Sequence, residues 1–365
     1  MKHRRLSFSL SLLWFLLTLS LGSAAHAQTA EPLHLRLAVT PSMVGSWSGL
    51  VAYEKRYWQR HLPPGLRVDV QVAMRGPVIA AALRDGNIHL GYIGDLPAVT
   101  LVATGPQAVL VGVAALSQDL CVLVVRRDAP AFATPDEGIR WLAGKRFAIS
   151  PGTCQQRVAQ RAFARVKAQP GRTLNLGSET YAMAFKEDRI DAAGANEIGA
   201  ASLIEAGLAR RLYSSQASGA WDAVFIASTA TFARKNAGLL RGWLQAELEA
   251  QRFMADARNA DEVIRIVAKY LPNVPERALR LAHHGHYPAS QGGAAVRRIF
   301  PFSFSANAMA VVRDAHHSAQ QLGMAPAGEL RPSAIQRDIT QDLLRTHGLV
   351  SPLGEVRARS DVTPH

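Results

Sequence analysis

The sequence predicts an α/β protein of two lobes, built on parallel sheets and finished by a helical C-terminal portion. Three observations carry this. Strand and helix patterns alternate along most of the chain, as they do where helices cover a parallel sheet. Small polar loops recur between a strand and the helix after it. The chain is 365 residues long, too long for one small domain and comfortable for two.

The first residues read as an export signal rather than as part of the fold. Lys2, His3, Arg4 and Arg5 form a basic head, an apolar run follows from Leu6 to Leu21, and Ala25-His26-Ala27 ends it. That order is the signature of a secretory signal peptide cleaved after Ala27. An uncleaved anchor is the alternative, since the run approaches spanning length. Later segments fall well short of it, so the expectation is a soluble, exported protein.

Beyond the signal, Leu33, Leu35, Leu37 and Val39 alternate as a strand, and Thr40–Ser46 turns into a helix near residues 50–60. Residues 66–73 alternate again, and Arg75-Gly76-Pro77 opens a helix to about Asp85. A short strand at 90–93 follows, then a helix from Pro97, a β-rich run at 109–115 and a strand at 121–125. Thr134-Pro135-Asp136-Glu137 is a helix cap with proline at the first helical position. Strands at 146–149, 173–176, 192–195, 212–214 and 224–227 come next, with a helix at 153–167. After Ser228 the pattern is helical, with Leu240, Leu244 and Leu248 on one face. Residues 82–91 echo 184–193: a helix end, a turn, an isoleucine and a short strand. Residues 357–365 read as a fraying tail.

Composition excludes several classes. Apolar residues make up 48% and aromatics 7%, which is no signature of disorder. The formal charge is +13; the expected signal carries Lys2, Arg4 and Arg5 and no acid, which leaves +10. Such a charge suits anionic small molecules or surfaces, or it is scattered solvated charge. The basic residues neither cluster nor interleave with aromatics, so nucleic acid is not an expected partner. Cys121 and Cys154 alone make no disulfide framework, and whether they pair is left open.

The chemistry gathers in the strand-to-helix loops. Gly91-Tyr-Ile-Gly94-Asp95-Leu-Pro97 follows a strand and opens a helix. Gly94 would bring backbone close to a ligand or take a positive φ, and free N–H groups at a helix N-terminus make an anion site. Ser42, Ser46 and Trp47 lie in the first such loop, Arg75 in the second, and Thr153 and Cys154 in a later one. Ligands of open α/β sheets bind where such loops converge, beyond the carboxyl ends of the strands. Arg75 is the only guanidinium among them; it is a ligand contact or a surface charge. His283, His284 and His286 could hold a transition metal but read as surface residues, and His316 and His317 point to different helix faces. No metal site and no cofactor are expected.

Gly86-Asn-Ile88, Gly91-x-x-Gly94-x-x-Pro97 resembles the G-x-I-D-x-G-x-x-G-x-x-P segment of substrate-binding proteins serving nitrate, sulfonate and taurine ABC importers. Leu142-Ala-Gly144-Lys145-Arg-Phe-Ala148-Ile-Ser-Pro-Gly152-Thr is similar to their L-K-G-K-K-V-A-V-x-x-G-S. Phe232-Ala-Arg-Lys-Asn and Leu244-Gln-Ala246 are similar to their F-x-x-x-x-P and L-x-A helices. The resemblance spans about residues 33–345. It implies the two-lobed periplasmic-binding-protein fold of the second type, with lobe one at 28–118 plus 222–345, lobe two at 119–221, and a tail at 346–365. It also implies a periplasmic monomer that captures a small solute between its lobes and delivers it to an ABC permease at the inner membrane. Such a protein is not an enzyme.

The chain departs from the family pattern in three places. His89 stands where the family has aspartate, a change confined to a turn, and Cys154 takes a place where relatives often have a small polar or varied residue. Asp191-Ala-Ala-Gly-Ala-Asn196-Glu197 replaces a tryptophan followed by an acid and proline, which removes an aromatic wall and puts Asn196 and Glu197 at the cleft edge. A carboxylate there favours ligands with an N–H donor, so taurine-like zwitterions and nitrogen heterocycles rank above nitrate; Glu197 as a cap of the following helix is the other reading. Relatives of this fold also include a desulfinase whose cysteine nucleophile lies in the first strand-to-helix loop. The alternative function is therefore a carbon–sulfur lyase of that kind, although Thr40–Trp47 holds no cysteine.

Overall fold

A computed structural model of the chain describes residues 34–364; the expected signal, 1–27, lies outside them. In order, the first elements are β1 (His34–Val39), α1 (Trp47–Glu54), β2 (Arg67–Val72), α2 (Gly76–Arg84), β3 (Leu90–Gly94), α3 (Asp95–Thr104) and β4 (Ala108–Ser117). Then come β5 (Cys121–Arg126), α4 (Pro135–Trp141), β6 (Arg146–Ile149), α5 (Cys154–Val166), β7 (Arg172–Asn175), α6 (Tyr181–Lys186), β8 (Ala192–Asn196), α7 (Glu197–Glu205) and β9 (Ala209–Ser214). The chain closes with β10 (Asp222–Thr229), α8 (Ala230–Lys235), α9 (Ala237–Ala255), α10 (Ala260–Ala268), α11 (Glu276–His284), β11 (Arg297–Ile299), α12 (Ala306–Gln321), α13 (Asp338–Thr346) and β12 (Glu355–Arg357).

The strands form two sheets, β12-β11-β4-β10-β3-β1-β2 and β7-β6-β8-β5-β9. The chain leaves the first sheet between Ser117 and Cys121 and returns between Ser214 and Asp222. Both sheets are mixed, where parallel sheets were expected. β10 runs antiparallel between β3 and β4, and β5 runs antiparallel between β8 and β9. These two strands link the halves, and an apolar run such as Cys121–Val125 carries no sign of direction. The internal echo is structural: β3 lies between parallel β1 and antiparallel β10, as β8 lies between parallel β6 and antiparallel β5.

Helices start where capping directs. Thr134 accepts a hydrogen bond from the Glu137 N–H at the head of α4. α3 begins at Asp95, two residues before the proline expected to open it, because a proline within the first turn lacks only an N–H that has no helical partner there. The first helix also starts early, with a 3₁₀ turn at Val44–Ser46, and ends before Arg56, whose φ of 54° is left-handed. Residues 355–362 do not fray. β12 pairs with β11, the Arg359 N–H donates to the His284 carbonyl, and the His286 N–H donates to the Val362 carbonyl.

Candidate functional site

The loops at the carboxyl ends of β1, β2, β3, β6, β7 and β8 meet in one cavity between the two sheets. Thr40, Met43, Met74, Arg75, Gly94 and Pro97 line it from the seven-stranded half. Ser150, Thr153, Cys154, Gln155, Ser178 and Asn196 line it from the other. Its volume is about 20 Å³, room for a water molecule, so a larger solute enters only if the halves part. Gly94 shows how close they are: a Cβ there would stand 2.9 Å from Met43 Cε and 3.0 Å from Cys154 Sγ. Gly94 has φ −63°, so the positive φ weighed for it does not occur, and the close approach alone requires glycine.

Five of the residues singled out in the sequence line the cavity: Arg75, Gly94, Thr153, Cys154 and Asn196. Arg75 precedes α2, and among the described residues its exposed guanidinium has no hydrogen bond or ion pair. Thr153 precedes α5 and donates its hydroxyl to the Ser150 carbonyl (2.7 Å), so no side chain caps that helix. Asn196 caps α7 through Gly199 (2.8 Å) and donates to Ser42 Oγ across the cleft (3.0 Å). Two further cavity-lining hydroxyls, absent from the sequence-derived set, have no partner among the described residues: Thr40 Oγ1 and Ser150 Oγ are buried. Their place in small polar loops at strand ends was the available signal.

Ser46 and Trp47 shape the first loop and do not line the cavity. Ser46 Oγ donates to the Thr40 and Met43 carbonyls (2.5 and 2.8 Å), and Trp47 Nε1 donates to the Pro41 carbonyl (2.7 Å). The Trp47 ring stacks on His283 at 5.7 Å.

Asp95 does not leave the head of α3 open for an anion. Its carboxylate accepts the Leu96 and Ala223 N–H groups (2.7 and 3.0 Å) and the Arg157 guanidinium in two bonds (2.9 and 2.7 Å). Arg157, fully buried on α5, also donates to Asp222 (2.7 Å) and to Asp314 on α12. One arginine of the five-stranded half thus grips carboxylates of the other half directly behind the cavity. Burial raises the Asp222 carboxyl to about 6 despite Arg157 and Arg161.

Glu197 faces Arg298 of β11 (3.2 Å), and burial raises its carboxyl to about 8. It is not on the cavity wall. His283 and His284 are buried, against the surface placement expected for them, with their Nδ1 atoms 2.8 Å apart; burial holds His283 well below its ordinary value and His284 at about 4. His286 is exposed. Among the described residues no group of three or more histidines, cysteines or acids is placed to hold a metal. Cys121 and Cys154 are both free and buried, and burial keeps the Cys121 thiol well above its ordinary value.

No protein-family model matches the chain. Among curated proteins it is 26% identical over 183 residues to putative binding proteins of Brucella abortus and Brucella suis. That match takes in 49% of this chain and 52% of the Brucella proteins, so it spans about half their length. Among solved structures it is similar to the alkanesulfonate-binding protein SsuA of Xanthomonas axonopodis pv. citri bound to MOPS (TM-score 0.66, 21% identity, 84% of this chain and 99% of that one). The periplasmic nitrate-binding protein NrtA of Synechocystis PCC 6803 is similar too (TM-score 0.67, 13% identity, 89% and 92%). So is a mutant of DSZB in complex with biphenyl-2-sulfinic acid (TM-score 0.61, 13% identity, 86% and 99%). The chain has the fold these proteins share, the two-lobed fold of periplasmic binding proteins.

Proposed function

We propose that this protein is the solute-binding component of an ABC importer of the nitrate, sulfonate and taurine type. It works in the periplasm, captures a small organic anion between its halves and passes it to a permease. The observation that carries the reading is the unpaired guanidinium of Arg75 sharing a cavity with the partnerless hydroxyls of Thr40 and Ser150. The uncapped head of α5 opens beside them, where N–H groups and the helix dipole favour negative charge. Met43, Met74 and Pro97 supply apolar wall for a carbon body, which ranks an organic sulfonate or carboxylate above nitrate. The preference for an amine-bearing ligand loses its carboxylate, since Glu197 is committed to Arg298.

The test is a thermal-shift and calorimetry panel of MOPS, taurine, short alkanesulfonates, aromatic carboxylates and nitrate. A true ligand at 100 times its dissociation constant adds about 2.7 kcal/mol of stability and is recovered unchanged. Absence of binding across all the organic anions overturns the reading, and so does conversion of any of them.

A carbon–sulfur lyase is the second reading, favoured by the likeness to DSZB and by Cys154 on the cavity wall. A thiol nucleophile needs a base beside it or a lowered pKa. Among the described residues no histidine lines the cavity, and the Cys154 thiol is raised from its ordinary value.

A further inference from the structure

The cavity is polar and small, but its rim is apolar. Among the described residues the large apolar side chains left exposed are Val72, Met74, Val78, Met183 and Val350. Three of them flank Arg75: Val72 ends β2, Met74 lines the cavity, and Val78 stands in the first turn of α2. They are 45, 49 and 51% exposed. Another methionine reaches the same loops, since a Cβ on Gly152, between cavity-lining Ser150 and Thr153, would stand 3.4 Å from Met324 Cε and 3.5 Å from Pro77 Cγ. Single apolar residues on a surface are ordinary, whereas a group of them beside a cavity marks a binding surface. The exposed, unpaired guanidinium of Arg75 is set in the middle of this group. A cation bordered by apolar side chains complements a molecule with an anionic head and a carbon tail. With the halves this close the cavity has no length for a carbon chain, so a tail on an anion held at Arg75 runs out along the rim.

We propose that the solute is an amphiphilic anion, a sulfonate or carboxylate whose head meets Arg75 in the cavity and whose carbon tail lies outside it, on Val72, Met74 and Val78. The inference rests on the proposed capture role for the head and adds what lies beyond the cavity. Methionine is flexible and fits irregular apolar shapes, so a rim with Met74 on it reads the apolar area of a tail rather than its outline. Tail length then sets affinity. Full burial of a methylene tightens binding about fourfold, and a methylene lying on an open rim, covered on one side, about twofold.

The experiment is calorimetry of the purified protein with two unbranched series, ethane- to octanesulfonate and acetate to octanoate. In at least one series affinity should rise about twofold with each added methylene, with an increasingly negative heat-capacity change. Val72→Ser combined with Val78→Ser should weaken octanesulfonate or octanoate about fivefold or more and leave the two-carbon member of the series unaffected. Binding at one affinity whatever the length overturns the tail and leaves the capture role standing. No binding by any member overturns both. A length dependence that survives in the double variant places the tail elsewhere and overturns the proposal. Should the double variant fail to fold, octanesulfonate with a terminal diazirine decides on wild type. Photolabelling of the peptide that holds residues 72–78 supports the rim, and labelling confined to other peptides overturns it. A second copy of the chain is the other occupant such a rim fits. A concentration-dependent dimer in sedimentation that octanesulfonate and octanoate do not dissociate assigns the rim to that copy and overturns the proposal.

Discussion

Arg157→Met removes the guanidinium that holds three carboxylates together while keeping the buried stem. Asp95 and Asp222 are fully buried, so Asp95 is left with backbone N–H donors alone and Asp222 with Arg161 at 3.8 Å; Asp314 is 44% exposed and contributes little. Removing one partner from a buried ion pair costs about 3–5 kcal/mol, and that is the loss expected at pH 7.5. The pH dependence identifies the cause. With Arg157 present, burial already raises Asp222 to about 6 from the ordinary 3.8. Without it, the folded-state value of Asp222 rises further, so the folded form binds protons that the unfolded form has given up. The stability of such groups is present below the unfolded value and is lost as pH rises through the folded one. The deficit of the variant therefore shrinks at pH 4.5 and widens toward neutrality.

Urea unfolding of both proteins at pH 4.5 and 7.5 measures this. Asp222→Asn added to Arg157→Met removes one of the stranded charges and regains part of the loss at pH 7.5. Small-angle scattering should show a larger radius of gyration, because Arg157 and Arg161 bridge to Asp95 and Asp314 across the halves. A loss below about 1 kcal/mol, or an equal loss at both pH values, refutes the reasoning.

Arg75→Ala should weaken binding of an anionic solute by about 1.5–3 kcal/mol, the worth of a hydrogen bond to a charged group, and leave the melting temperature unchanged; unaltered affinity by calorimetry makes Arg75 a surface charge. Gly94→Ala puts a methyl 2.9 Å from Met43 Cε and 3.0 Å from Cys154 Sγ, which should oppose closure by about 1–3 kcal/mol. Adding Cys154→Ala should restore most of the lost affinity, and no restoration counts against the contact across the cleft. Glu247 is buried at about 7 against an ordinary 4.5, accepting hydrogen bonds from Tyr92 (2.6 Å) and Gln251 (2.8 Å). Its folded value is raised, so stability falls as pH climbs from about 4.5 through 7. Glu247→Gln should gain up to about 3 kcal/mol over wild type at pH 8, and parallel melting curves at pH 6 and 8 would exclude this.

What could be read in advance was what neighbours in the chain decide. The strand at 146–149 and the cap at Thr134 follow from a few adjacent residues and appear as expected. The cavity loops were visible for the same reason, since each is a run of small polar residues at one strand end. Long-range partners left no such trace. Arg157 lies 62 residues from Asp95, and Glu197 lies 101 from Arg298. Within its own helix Arg157 reads as one more polar position, and only the packing of α5 against α3 and α12 shows that it is buried.

Asp95 shows why a correct motif can mislead about chemistry. Gly94-Asp95-Leu96-Pro97 does open a helix at the cavity, with N–H groups at its head, as the anion argument requires. The anion they meet is the protein's own carboxylate, held in place by an arginine from the other half. The sequence of the loop is the same whether that arginine arrives or not. Its arrival converts α3 from a solute cradle into an anchor between halves. Under the proposed function, an anionic solute would instead meet the helix heads at the cavity that carry neither a carboxylate nor a side-chain cap, those of α5 and of α2, where Arg75 stands.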